Sequence, residues 1–125
     1  MSMFSTAAIR KNGDVAIVDL NGRFTAGTAT GVIRNAVADL LKAGERKIIL
    51  NLADVTYMDS AAGVGELVAS YTSTCNLGGR LKLLRPGKRV ENVLHIVRLD
   101  RVFEVYTGEE DAILSFSQQA SPARG

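Results

Sequence analysis

The chain has 125 residues, 46% of them hydrophobic and 22% charged, with a formal net charge of +2 at pH 7. That length suits one domain, and that composition supports a core without disulfides or metal. It excludes a disordered tail and a nucleic-acid binder with a dominant basic face.

Ala8-Ile9-Arg10-Lys11 and Val15–Leu20 read as two antiparallel strands joined at Asn12-Gly13, because Asn-Gly tolerates the positive φ angles of a tight primed turn. Ile33, Ala36, Val37, Leu40 and Leu41 recur at helical spacing. Thr28 or Thr30 can cap that helix, and Gly44 stands where a left-handed C-terminal cap is expected. Lys47–Leu52 is a nearly continuous apolar run, the pattern of a strand covered on both faces. After Ala53–Met58 and Asp59-Ser60-Ala61-Ala62-Gly63 comes a second helix with Val64, Leu67, Val68 and Tyr71 on one face, ending at Gly78-Gly79. Arg80–Leu84 is a strand, and Pro86-Gly87 breaks the chain. A third helix carries Val90, Val93, Leu94 and Val97 inward, and Val102–Tyr106 reads as a last strand. Glu109, Glu110 and Asp111 open a final helix through Phe116, three acids that complement the positive end of its dipole. The order ββαβαβαβα predicts an α/β fold, a mixed sheet of four to five strands with helices packed on it. One domain over residues 1–125 is expected, with a frayed tail from about residue 118.

Cys75 is the single cysteine, so no internal disulfide can form and a reducing compartment is implied. The first residues lack a basic stretch followed by an apolar run, and no apolar run approaches the ~20 residues of a membrane span. A cytoplasmic protein with no membrane association is the resulting expectation.

Enzyme signatures are sparse. His95 lies beside the core-facing Leu94 and reads as a surface or packing histidine rather than a catalytic one; no cysteine or histidine lies near it in sequence to build a metal cluster. Cys75 reads as a structural, partly buried thiol rather than a nucleophile. Gly63-Val64-Gly65 follows a strand and opens a helix, but Val68 stands where a dinucleotide loop needs its third glycine. Small residues that let the helix start pack closely are the simpler reading. Arg85, Lys88, Arg89, Arg98 and Arg101 make a modest basic group, read as a solvated face and not as a nucleic-acid footprint.

Asp59-Ser60 is the informative point. The first N–H groups of a helix lack internal partners, so an oxygen-bearing residue is wanted there, and capping alone accounts for its presence. The same geometry offers a serine hydroxyl beside donors that can hold a phosphate.

The segment Ile49-Leu50-Asn51-Leu52-Ala53-Asp54-Val55-Thr56-Tyr57-Met58-Asp59-Ser60 closely resembles the STAS-domain family of anti-sigma factor antagonists. In that family an apolar strand leads to an aromatic-hydrophobic-Asp-Ser segment and a glycine-containing helix start. Gly79–Leu84, Val102–Tyr106 and the early Leu20-Asn21-Gly22-Arg23-Phe24 resemble other family segments, so the likeness runs from Ala8 to Phe116. The resemblance implies a STAS fold and a partner-switching role without catalysis or cofactor. The unphosphorylated form would bind an anti-sigma factor serine kinase of the histidine-kinase-like ATPase type and free a sigma factor. Phosphorylation on Ser60 would release it, and a serine phosphatase would reset it. Asp59, Ser60, Ala61, Ala62, Gly63, Arg23 and Thr25 would form the partner-binding surface of a monomer or weak dimer.

Two departures qualify the match. Many members read Gly-Glu-Leu-Asp where this chain has Gly22-Arg23-Phe24-Thr25, so Arg23 reverses a charge. The helix start is one residue longer than the usual pattern. Aligned from the strand, Ser60 is the acceptor; aligned from the helix, Ala61 takes that place. The Tyr57-Met58-Asp59-Ser60 run favours the first. A non-switching STAS module in a lipid-transport or stressosome-like assembly is the alternative, and a nucleotide-binding domain built on Gly63–Gly65 ranks below both.

Overall fold

The strands β1 (Thr6–Asn12), β2 (Val15–Phe24), β3 (Lys47–Met58), β4 (Arg80–Leu84) and β5 (Val105–Tyr106) lie side by side in sequence order. β1 runs antiparallel to β2, and the other three pairings are parallel. The helices are α1 (Val32–Lys42), α2 (Gly63–Asn76), α3 (Lys88–Ile96) and α4 (Glu109–Ser117), so the expected order of elements holds. The computed structural model describes residues 5–26, 29–59 and 63–117. The expected fraying of the tail lies outside the described residues.

Alternation along the strands sorts the sheet into two faces. Ala16, Val18, Leu20, Ile48, Leu50, Leu52, Leu81 and Leu83 point toward α1, α2 and α3 and form the main core. Val15, Ile17, Ile49 and Leu84 point the other way, against Ala112 and Phe116 of α4. Both faces of the central strands are thus covered, which is why Lys47–Leu52 reads as an unbroken apolar run. The stripe Ile33, Ala36, Val37, Leu40 and Leu41 is the buried face of α1.

The smaller face carries polar groups as well. Lys82 is only 2% exposed. Its Nζ donates to Ser115 Oγ at 2.6 Å, pairs with Glu104 at 3.1 Å and lies 4.4 Å from the centre of the Phe116 ring. Burial pulls the Lys82 ammonium below the usual lysine range, against the opposing pull of Glu104. At the start of α4, Arg10 grips Asp19 and Glu109, and Asn51 donates to Asp19. The Arg10 guanidinium holds both carboxylates below their ordinary values.

Several details differ from the sequence reading. The two turn residues are Gly13 and Asp14, because Asn12 still pairs with Val15. Only Gly13 among the two has positive φ (65°), the pattern of a II′ turn with glycine first. β3 continues to Met58, with register shifts against β2 between Asp19 and Asn21 and between Gly22 and Arg23. The last strand is shorter than Val102–Tyr106: Phe103 leaves the sheet to join the main core, edge-on to Tyr71. The end of α1 is as read, since Gly44 has φ 93° while its N–H bonds Leu41 O and that of Glu45 bonds Leu40 O.

Candidate functional site

The parallel strands β2 and β3 end at Phe24 and Met58, and the chain leaves each toward a helix start. Connections held by a rigid scaffold are where binding residues concentrate. Here the two exits are stitched together. The Asp59 N–H donates to Phe24 O at 3.1 Å, and Asp59 O accepts from the Val64 N–H at 3.0 Å.

The Asp59 carboxylate holds both connections with different oxygens. Oδ1 accepts from the Gly63 N–H at 2.9 Å, at the start of α2. Oδ2 accepts from the Ala26 N–H at 3.2 Å, in the connection from β2 to α1. Asp59 is therefore the side chain that caps α2, and its negative charge sits at the positive end of that helix.

Gly63 makes this closeness possible. A Cβ there would lie 2.1 Å from Met58 Cγ and 3.0 Å from Phe24 O. At Gly65 a Cβ would meet nothing within 4 Å. The close-packing reading of these glycines therefore holds at Gly63 and not at Gly65.

A second carboxylate was not legible as a site residue. Glu66, on the first turn of α2, is buried. Its Oε2 accepts from the Gly31 N–H, and its Oε1 accepts from the Arg34 N–H at 3.2 Å. These are donors at the start of α1, whose N-cap position is Gly31 with φ 85° and no cap from its own side chain. The expectation of a Thr30 cap is corrected accordingly. The Thr30 hydroxyl instead donates backward to Ala26 O; Thr28 lies outside the described residues. The sequence did hold a signal: Glu66 is the only charged residue between Ser60 and Arg80. A lone charge in an otherwise apolar or small helix has a partner to find.

Arg23 and Tyr57 are neighbours across β2 and β3, with the Arg23 guanidinium carbon 5.0 Å from the ring centre. Arg23 is exposed and Thr25 half-buried, and Thr25 O accepts from the Ala29 N–H. The structure thus brings Asp59, Gly63, Thr25 and Arg23 to one end of the sheet. Ser60, Ala61 and Ala62 lie outside the described residues.

The residues set aside in the sequence reading fall elsewhere. His95 is exposed and bonded to Asp100 at 3.1 Å, on the surface as read. Cys75 is exposed, which corrects the expectation of a partly buried thiol; it lies in the last turns of α2. Arg85, Lys88, Arg89, Arg98 and Arg101 are all exposed. Among the described residues no group of three or more His, Cys, Asp or Glu is placed to hold a metal ion, and no helix is long and apolar enough to cross a membrane.

Comparison with known proteins identifies the family and the fold. A family model described as the STAS domain matches residues 6–112. The TM1081 homolog of Thermotoga neapolitana, which bears the name of an anti-sigma factor antagonist, is 37% identical over 75 residues, 60% of this chain and 66% of that protein. The chain spans 66% of the length of the curated relatives it matches. The crystal structure of TM1081 from Thermotoga maritima gives a TM-score of 0.79 at 28% identity, covering 87% of this chain and 92% of that one. SpoIIAA, a Bacillus cell fate determinant, in its phosphorylated form gives a TM-score of 0.69 at 22% identity, covering 89% of this chain and 99% of that one. That last likeness concerns the fold alone.

Proposed function

Because the chain belongs to the STAS domain family, we propose that it is an anti-sigma factor antagonist working by partner switching. Unphosphorylated, it binds an anti-sigma factor serine kinase of the histidine-kinase-like ATPase type, and the sigma factor is freed. Phosphate on Ser60 ends that contact, and a serine phosphatase restores it. The protein acts as one domain in the cytoplasm, as a binding module rather than an enzyme.

The observation that carries this reading is the double grip of Asp59 on the Ala26 and Gly63 amides. It fixes the residue next to Ser60 where the start of α2 meets the exit of the chain from β2. A phosphoserine adds about −1.5 to −2 charges at pH 7. Beside Asp59, that charge changes the sign and hydration of any contact made there. The names of the relatives from Thermotoga support the same reading. Arg23, in a place where many members carry an acid, points to a kinase partner with a complementary acidic group.

The test is calorimetric titration of the unmodified protein and of Ser60→Asp into the histidine-kinase-like anti-sigma factors of the same genome. Tight binding of one of them, weakened at least tenfold by Ser60→Asp, is expected. A stable complex with a transport ATPase or scaffold that ignores Ser60→Asp would support the non-switching reading instead.

A further inference from the structure

Helices α1 and α2 each carry the chain back from one parallel strand to the next, so they run side by side in the same direction. They are tied at their starts, where Glu66 of α2 accepts from the Gly31 and Arg34 amides of α1. Further along, small side chains line both helices, Ala38 on α1 with Ser70 and Ser73 on α2, and a groove of about 260 Å³ opens between them. Val37 and Leu41, both buried, line it from the core side. Leu77, 53% exposed, lines it just past the end of α2.

The polar groups of this groove lack partners. Ser70 is 1% exposed, and its hydroxyl oxygen is buried with no hydrogen-bond partner, the one such side-chain atom among the described residues. A buried hydroxyl without a partner costs stability, and a bound acceptor removes that cost. The groove also carries Arg34 and Lys42, both exposed and neither in an ion pair among the described residues. They stand on α1 just over two turns apart, about 12 Å. No Asp or Glu lines the groove. An apolar slot with two cations, no acid and one unpartnered hydroxyl matches an amphiphile with an anionic head. Its volume falls below the roughly 300–1,000 Å³ of sites for drug-sized ligands, so a single short alkyl chain fits and a two-chain lipid does not.

We propose that the α1–α2 groove binds a medium-chain alkyl carboxylate such as octanoate. The alkyl chain lies on Val37, Ala38, Leu41 and Leu77. The Ser70 hydroxyl turns to donate to a carboxylate oxygen, and Arg34 and Lys42 supply the positive field that selects a charged head over a neutral one.

The test is titration of the full chain, labelled with ¹⁵N, with sodium octanoate below its micelle concentration, followed by amide chemical shifts. Saturable shifts at Ala38, Leu41, Ser70 and Leu77 are expected, with Leu50 of β3 unmoved. Replacing both cations (Arg34→Gln with Lys42→Gln) should weaken octanoate at least fivefold and 1-octanol less than twofold. Ser70→Ala should weaken octanoate at least threefold while raising the Tm of the free protein, a pair of changes that a serine serving only to pack the helices does not give. Ala38→Phe, which fills the groove from an exposed position, should abolish the shifts. Shifts that never saturate or spread over the whole surface, octanol bound as tightly as octanoate, or a Ser70→Ala chain that binds octanoate like the native one overturns the proposal. The titration involves no phosphate on Ser60, so its failure leaves the switch reading untouched.

Discussion

Replacing Asp59 by alanine removes an acceptor from two amides in unequal settings. Gly63 is buried, so its N–H loses a partner that water cannot fully replace. Leaving such a donor unsatisfied costs about 1–3 kcal/mol. Ala26 is exposed, and water takes over there at little cost. Loss of a negative charge at the start of α2 adds about 0.3–1 kcal/mol. The sum is about 1.3–4 kcal/mol. With an unfolding entropy of roughly 2.1 cal/mol/K per residue, a chain of 125 residues then loses about 5–15 °C in Tm. Asp59→Asn keeps one oxygen for Gly63 and turns its NH2 toward the exposed Ala26 side, so it costs about 1 kcal/mol. Urea unfolding of the three proteins, with m-values compared, measures both numbers. An alanine variant within about 0.5 kcal/mol of the native chain refutes the reasoning. So does an asparagine variant as damaging as alanine.

Gly63→Ala drives a methyl against Met58 Cγ and Phe24 O and should destabilise by about 1–3 kcal/mol, whereas Gly65→Ala meets open space and should stabilise by up to about 1 kcal/mol; their urea midpoints should move in opposite directions. Lys82→Met replaces a buried ammonium by a side chain of similar shape, and the Glu104 left behind is 49% exposed and can be hydrated; thermal unfolding at neutral pH should show it unchanged or up to about 4 kcal/mol more stable. The folded pKa of Lys82 lies below its unfolded value, so the cost of burying its charge is relieved as pH rises through that lowered pKa toward the ordinary 10.5. The stability gap between Lys82→Met and the native chain should therefore narrow with alkalinity, and a widening gap would contradict this. Asp19 and Glu109 have lowered folded values, set first by their bonds to Arg10, so their contribution is complete above the ordinary carboxylate range and is lost as pH falls through those lowered values. Arg10→Gln should flatten that acid limb of the stability profile.

The layout of strands and helices was legible because its signals are local. The apolar stripe of α1, the glycine after it and the acids opening α4 each state their role within one turn of helix. Two elements were read less well. β3 runs on to Met58 through irregular pairing with β2, which no alternation pattern announces. Val102–Tyr106 has the composition of a strand, yet Phe103 is drawn into the main core and only two residues pair with β4. Packing overrode propensity there.

At the site, Asp59 was legible through its place at a strand-to-helix junction. What Asp59 holds was not, because Ala26 is 33 positions away in the chain. Glu66 was missed for the same reason. It lies off the apolar stripe of α2, so helical periodicity assigns it to solvent, and only the packing of α1 on α2 turns it into the cap of another helix. The exposed Cys75 shows the converse error, since a small apolar side chain near the end of a helix carries no pattern that fixes its face.

The central claim is that this chain is switched by phosphate on Ser60. It is met most directly by incubating the protein with ATP and the anti-sigma factor kinase that binds it, then sequencing the product by tandem mass spectrometry. One phosphate on Ser60, absent from Ser60→Ala and accompanied by release from the kinase, is the predicted result. Phosphate on another residue, or release without any phosphate, contradicts the account.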